Sequence, residues 1–394
     1  GVPHHAIAGY VARLIEKGYH VAICEQISEP NGKGLVDREV TRVITPGTVV
    51  EPALLTEKQS SYLMAIVPFG NVETGFWEQA GIAYVDISTG EFAATQLEGD
   101  NAAVLVLEEL ARLNPREVIM PSAWVERGVS LPQGIHLTPL TDWRFEFSTA
   151  QDVLLHHFNV RTLDSYGLGE TPGAVCAAGA VVHYVRETQR SQLAQLVTVR
   201  TYSTEHFMVL DPFTRRNLEL TETIRTRKTQ GSLLGVLDRT ITAMGARLLR
   251  IWINQPQLDL KVLNARLDFV EALTKDEPLR LELREALRSI SDLERLTNRL
   301  LIRKAGPRDL IALRQSLDAV PVIRALLDPV PALAGLSERL DPCAEVNDLI
   351  ARAIADEPPA TLNVSGIIRP GYSDELDGIM HATSDGRDWI ANLE

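Results

Sequence analysis

Residues 82–92 read Ile82-Ala83-Tyr84-Val85-Asp86-Ile87-Ser88-Thr89-Gly90-Glu91-Phe92. An apolar, β-rich run enters Ser88-Thr89-Gly90, and a second run continues to Gln96. The pattern predicts strand, tight turn, strand. Upstream, residues 62–67 read as a further strand. Downstream, residues 101–113 predict a helix with Asn101 as N-cap and Val104, Leu107, Leu110 and Leu113 as its apolar positions. Residues 118–120 add one more strand.

Several antiparallel strands, a helix and another strand predict an α/β domain of ribonuclease-H-like shape over residues 51–195. From residue 171 to 196 the pattern turns helical, and Ala177, Ala178, Gly179 and Ala180 permit close packing. Residues 1–50 read as helix, strand, loop, strand. Pro3 suits a first helical turn. Ile7, Tyr10, Val11, Leu14 and Ile15 recur at helical spacing, and Gly18 can end the helix in the left-handed conformation. Tyr19, Val21 and Ile23 alternate as a strand, Asn31-Gly32-Lys33-Gly34 is a loop, and residues 40–44 run as a strand into Thr45-Pro46-Gly47. So few elements bury little surface, so this part is expected to belong to a domain whose first strands lie upstream of Gly1.

Residues 196–394 are nearly all helical, apart from a β-like stretch at 197–202. Ser291-Asp292-Leu293-Glu294 reads as a capping box with Ser291 as the cap. Leu293, Leu296 and Leu300 follow on one face. Gly306-Pro307 breaks that helix and starts another, with Leu310, Leu313 and Leu317 apolar. A last helix starts near Asp374 and carries Leu376, Ile379, Trp389, Ile390 and Leu393. It runs on to Glu394 as if cut. The packed helical faces make this region the expected stability maximum and residues 1–50 the minimum.

Hydrophobic residues are 45% and charged residues 23% of the 394, an ordinary globular balance. No apolar run reaches the roughly 18 residues of a membrane helix. Cys24, Cys176 and Cys343 lie far apart and form no C-x-x-C pair, which excludes a disulfide framework or zinc site and fits a reducing cytoplasm. The net charge of −13 does not advertise a nucleic-acid binder. Residues 51–195 hold eight Lys/Arg against eighteen Asp/Glu, so they are the part least suited to a phosphate backbone. Residues 214–250 run the other way, with Arg215, Arg216, Arg225, Arg227, Lys228, Arg239, Arg247 and Arg250 against three acids. That run suits either a basic surface near nucleic acid or an acidic domain, or a solvated helix face with local ion pairs.

Three sites for chemistry can be weighed. His4, His5, His20, Cys24 and Glu25 are close in sequence, but adjacent helical histidines diverge by about 100° and Cys24 and Glu25 point to opposite strand faces. A buried Cys24 and helix-end histidines are the simpler expectation. Asp86 with Glu108 and Glu109 could hold two metal ions for phosphodiester cleavage, but Pro121-Ser122-Ala123 stands where a further acid is needed. A carboxylate bonded to the Ser88 or Thr89 turn explains Asp86 as well. Neither a G-x-x-x-x-G-K-[ST] loop nor a G-x-S-x-G elbow occurs.

The quoted residues resemble the MutS family of bacterial DNA mismatch-repair proteins. The matching stretches are Gly1-Val2-Pro3-His4-His5-Ala6, Val21-Ala22-Ile23-Cys24-Glu25-Gln26, Gly34-Leu35-Val36-Asp37-Arg38-Glu39-Val40 on to Thr45-Pro46-Gly47-Thr48, and Asp86-Ile87-Ser88-Thr89-Gly90-Glu91-Phe92. Asp211-Pro212-Phe213-Thr214-Arg215-Arg216-Asn217-Leu218, Met244-Gly245-Ala246-Arg247-Leu248-Leu249, Asp292-Leu293-Glu294-Arg295, Pro307-Arg308-Asp309-Leu310 and Gly371-Tyr372-Ser373-Asp374-Glu375-Leu376-Asp377 follow in the family's order.

The resemblance implies a multidomain α/β plus all-α architecture. Residues 1–50 would be the C-terminal part of a mixed α/β mismatch-binding domain. Residues 51–195 would be a ribonuclease-H-like connector, and residues 196–394 a helical core with a lever helix, cut before the clamp. The family's Phe-x-Glu mismatch reader would lie upstream of Gly1, and its clamp and ATPase beyond Glu394. The implied activity is binding of duplex DNA with mismatches or small loops. It is coupled in the full-length protein to ATP and Mg²⁺; no cofactor and no catalysis are implied for this chain. The implied partners are a second copy in a homodimer and a downstream mismatch-repair protein at the connector, with no membrane, in a cytoplasmic, nucleoid-associated setting. His5, Lys33 and Arg42 are the implied DNA-side residues. A metal-dependent nuclease and a purely structural helical scaffold are the competing classes.

Overall fold

The computed structural model describes residues 2, 6–26, 37–99, 101–129, 131–190, 193–362 and 364–391, with side chains as far as residue 383. It divides into two compact units, Gly1–Leu263 and Asn264–Glu394. Pro3, His4, His5, the loop at 31–34, and the side chains of Trp389, Ile390 and Leu393 lie outside the described residues.

In the first unit, α1 (Ile7–Glu16) ends before Gly18, whose φ is +83° as the sequence requires. It covers an antiparallel pair, β1 (Val21–Gln26) and β2 (Arg38–Ile44). The cluster there holds three buried side chains, Val11, Ile44 and Val49, ringed by Ile7, Ile15, Val21 and Ile23. Cys24 is exposed, contrary to expectation, because Val21 and Ile23 take the covered face.

The larger core is a six-stranded sheet. β3 (Tyr62–Asn71), β4 (Phe76–Asp86) and β5 (Glu91–Glu98) form an antiparallel meander. α2 (Ala102–Leu113) leads to β6 (Glu117–Pro121), parallel to β3. The short α3 (Ser122–Glu126) precedes β7 (His136–Leu140), parallel to β6. α4 (Phe147–Phe158) and α5 (Pro172–Gln189) follow, and β8 (Arg200–Thr201) closes the order β7-β6-β3-β4-β5-β8. The β-like stretch at 197–202 thus joins this sheet, parallel to β5. β3 and β4 run longer than their apolar cores predict. Pro68, which has no N–H to give, is tolerated because β6 pairs with β3 only at residues 63–65.

Both sheet faces are covered, which is why β4 is apolar almost throughout. Ala83 and Val85 face the cluster under α4 and α5, while Ile82 and Tyr84 face the cluster under α2. On α2 the buried stripe is Ala102, Val106, Glu109, Leu110 and Leu113. Val104 and Leu107, expected inside, are exposed because the stripe facing the sheet runs beside them. Asn101 occupies the N-cap position without a side-chain cap bond.

α5 is buried at fourteen of its 18 residues, so it is a core helix rather than an amphipathic one. Its glycines set the spacing. A Cβ on Gly81 of β4 would overlap the Gly173 carbonyl, and one on Gly179 would lie 2.5 Å from Ala150 Cα of α4. The helix ends at Gln189, short of Leu196, where Arg190 adopts φ +48°. Leu193 and Leu196 are still buried in the same cluster.

The unit continues through α6 (Pro212–Asn217), α7 (Leu233–Leu237) and α8 (Ala243–Asn254), capped by Asp211, Ser232 and Thr242. α9 (Leu260–Lys275) carries the boundary.

The second unit holds α10 (Glu277–Ala286), α11 (Leu293–Leu301), α12 (Pro307–Leu327), α13 (Ala334–Ser337), α14 (Ala344–Ala353) and α15 (Asp374–Ala391). Leu313 and Leu317 pack with Ile350 and Ile354, and Leu293 and Leu300 flank them. The cap of α11 is Asp292, which accepts from Arg295 N at 3.3 Å, not Ser291. Ser291 N instead donates to Ser316 Oγ at 2.9 Å. Among the described residues no helix is long and apolar enough to cross a membrane.

Of the twelve largest side chains that are fully buried, only Leu333 belongs to the second unit. Apolar area removed from water is the dominant favourable term, so burial moves the expected stability maximum from the helical region to the sheet with α5. The small cluster of residues 6–53 leaves the expected minimum where it was.

This packing makes Gly81→Ala a sharp probe. It should destabilise the chain by at least about 1–3 kcal/mol in urea unfolding, because the added methyl has only backbone to displace. Gly9→Ala, with nothing within 4 Å, should be neutral or stabilising by up to ~1 kcal/mol. An undisturbed Gly81→Ala chain would mean that α5 does not rest on β4.

Candidate nucleic-acid interface

Arg42 lies in β2 opposite Ile23, on the face it shares with Ile44 and Val21. Its guanidinium therefore turns toward the covered side, where it pairs with Glu51. The other two sequence-derived residues, His5 and Lys33, lie outside the described residues. Arg38, at the start of β2 opposite Gln26, is exposed. Its place in the motif running to Val40 was the only trace of it in the sequence. On α1, exposed Arg13 stands over the Tyr10 ring at 4.9 Å.

A second constellation was not foreseen. Glu117, at the start of β6, has a fully buried carboxylate. It accepts from Thr45 Oγ1, from Gly47 N at 2.8 Å, from Thr138 Oγ1 at 2.7 Å and from Tyr184 OH at 2.6 Å. His20 Nε2 stands 3.4 Å away. Burial works against the charge, but the hydrogen bonds from His20, Thr45, Tyr184 and Thr138 outweigh it and hold the carboxyl below its ordinary range. The same contact raises the His20 imidazole. Burial first, then the Glu117 charge, pushes the Tyr184 phenol far up, so it remains a donor. Gly47 has no room for a side chain, since a Cβ would come within 2.9 Å of both Glu117 Cβ and Leu63 Cβ. Gln189 Nε2 donates to Thr48 O at 3.0 Å, and Arg190 to Val40 O at 2.6 Å. One acid at the mouth of an apolar strand was its only local signal.

Two of the three acids considered for metal ions, Asp86 and Glu109, are committed elsewhere. Asp86 Oδ1 accepts from Ser88 N at 2.9 Å and Ser88 Oγ at 2.6 Å, and Oδ2 accepts from Ser61 N at 2.9 Å. The turn-bonding expectation thus holds. Glu109 pairs with Arg112 and accepts from Tyr202 OH at 2.6 Å. Among the described residues no group of three or more His, Cys, Asp or Glu side chains is arranged to hold a metal.

The basic stretch divides in two. Arg247 is buried and donates to Glu57 O at 2.9 Å, and Arg215 Nε donates to Leu210 O at 3.0 Å. Arg216, Arg225, Arg227 and Lys228 are exposed. It is therefore neither a uniform basic surface nor a simple solvated helix face.

Residues 1–53 match the model of MutS domain I, residues 61–197 that of MutS domain II, and residues 213–392 that of MutS domain III. Three similar curated relatives are each called DNA mismatch repair protein MutS. That of Symbiobacterium thermophilum is 46% identical over 401 residues, that of Pelotomaculum thermopropionicum 42% over 407, and that of Alkaliphilus oremlandii 40% over 405. Each alignment covers 100% of this chain but only 45–46% of the relative, so the chain spans about half the length of the relatives it matches. With three domain models matched in order and identities of this size along its whole length, the chain belongs to the MutS family.

Proposed function

We propose that this chain is the part of a mismatch-recognition protein that links a DNA-side segment to a helical core. The observation that carries the reading is the ordered match to domains I, II and III with 46% identity over the whole chain. In this reading residues 1–50 complete a mismatch-binding domain, residues 51–195 are the connector, and residues 196–394 are the core and lever. The meander β3-β4-β5 followed by helix and parallel β6 supports a ribonuclease-H-like connector. In a protein of the relatives' full length, an aromatic wedge beside a mispaired base would kink the duplex where it bends most easily, and cations would hold the backbone.

The residues of this chain supply the supporting part of that work. His5, Lys33 and Arg42 are proposed to face the phosphates. Arg42 reaches a phosphate only by leaving Glu51, one anion exchanged for another. The acidic balance of residues 51–195 keeps the backbone away from the connector and leaves it for protein partners, a downstream repair protein among them. A homodimer and a cytoplasmic, nucleoid-associated setting belong to the same proposal. The residues present do not fit ATP and Mg²⁺. No phosphate-cradling loop occurs in the sequence, and the described residues offer no metal-holding cluster. No nucleotide chemistry is therefore assigned to this chain.

Two measurements test this. In fluorescence anisotropy the chain should bind duplex DNA weakly, with Kd in the ~10⁻⁴ M class or above at physiological salt, and matched and mismatched duplexes should compete equally. A roughly tenfold mismatch preference, about 1.4 kcal/mol, would show that the reading element is in this chain after all. At low salt, Arg42→Ala should lower the slope of log K against log salt by about 0.9 if Arg42 meets one phosphate. An unchanged slope would remove Arg42 from the interface.

The purified chain should also give no ATP turnover above background. Turnover that disappears on mutating a residue within it would overturn the assignment.

A further inference from the structure

We propose that the Glu117 carboxylate is a latch: a positioning residue that fixes the segment of residues 6–26 and 37–53 on the six-stranded sheet, and whose neutralisation frees that segment without unfolding the sheet. The donors divide between the two sides. Thr45 Oγ1, Gly47 N and His20 Nε2 come from the segment, while Thr138 Oγ1 of β7 and Tyr184 OH of α5 come from the sheet and its cover. The segment's own cluster buries three apolar side chains, and a fourth, Val50, joins the cluster under α5. With so little apolar contact, a polar contact of fixed geometry adds the direction that packing alone does not give.

A buried carboxylate with donors on both oxygens tolerates neutralisation poorly, since one oxygen position then becomes a donor facing donors. Five directed donors add a fixed geometry to the packing of Val50. Gly47 enforces the approach, because any side chain there would strike Glu117 and Leu63. If residues 1–53 are the DNA-side part, the latch sets the angle at which they are presented. That functional consequence rests on the proposed function, but the latch itself does not.

The pH dependence follows from the groups around the carboxylate. These are His20 from the turn after α1, Tyr184 from α5 and, beside Gly18, His136 from β7, with the Arg190–Glu39 pair further along β2. Glu117 is held low, so its contribution is present above the ordinary carboxylate range and is lost as pH falls through the lowered value. His20 is raised, so its contribution is complete below the ordinary imidazole value and is lost as pH rises through the raised one. The latch is tightest between the two.

The test is hydrogen exchange on the full chain, read peptide by peptide for the parent, Glu117→Gln, Thr45→Val and His20→Gln. Glu117→Gln should speed exchange of the amides in Val21–Gln26 and Arg38–Ile44 at least tenfold, while Tyr62–Asn71, Phe76–Asp86 and Pro172–Gln189 keep theirs. Thr45→Val, which removes a donor from the segment side alone, should give the same selective loss in smaller measure. The parent should lose β1 and β2 protection as pH rises above the ordinary imidazole range, beyond the intrinsic rise in exchange, and His20→Gln should not. Unchanged β1 and β2 protection in Glu117→Gln would overturn the latch. So would loss spread evenly into β3, β4 and α5 in both Glu117→Gln and Thr45→Val, which would make Glu117 an ordinary structural residue. No DNA enters the experiment, so its outcome and that of the DNA-binding assay are independent.

Discussion

The backbone contact between Gly81 and Gly173 is the constraint on which residues 6–263 depend. It allows α5 to lie against β4 without an intervening side chain, and the helix then buries almost its whole length. Interiors are packed as densely as organic crystals, so such a contact fixes the position of everything touching it. The meander packs one face on α5, Tyr184 projects from α5 to Glu117, and Gln189 at its end reaches Thr48. Through these two side chains the helix also governs residues 6–53, whose own apolar cluster is small.

Charge follows the same division of labour. Among the described residues, Arg13, Lys17, Arg38 and Arg42 lie on a small layer that is held from behind by one buried anion. The sheet region carries most of the net negative charge, and its buried acids are spent on structure: Asp86 on a turn, Glu109 on Arg112 and Tyr202, Glu117 on the latch. Each carboxylate is answered by donors that its neighbours supply. This explains how a sheet rich in acids can carry them inside.

Local features were legible in the sequence and distant ones were not. The hairpin at Asp86 and Gly90 could be read because turn, donor and acceptor lie within a few residues. Gly18 and the Gly306-Pro307 break were equally plain. The choice between Ser291 and Asp292 as the α11 cap was open because either residue type can do it, and only the position of Ser316 decides. Of the α2 positions read as apolar, Leu110 and Leu113 are buried but Val104 and Leu107 are not, because these two are as apolar as the residues the sheet selects. β7 and α4 escaped notice because Pro139 and a helix with only Ala150 and Leu154 buried give weak patterns. At the candidate interface, Arg42 could be named by type, but its partner Glu51 lies across a turn. Glu117 could not be seen at all, since its donors come from four separate stretches of chain.

The most direct test of this account is native-state hydrogen exchange along a denaturant series. If α5 on β4 is the keystone, amides of β3, β4 and α5 should merge into one opening transition, the largest in the first unit. Amides of β1 and β2 should open earlier, at lower free energy, and never survive it. Protection of β1 and β2 that persists after α5 has exchanged would contradict the account, because the segment would then fold without the sheet on which it is said to depend.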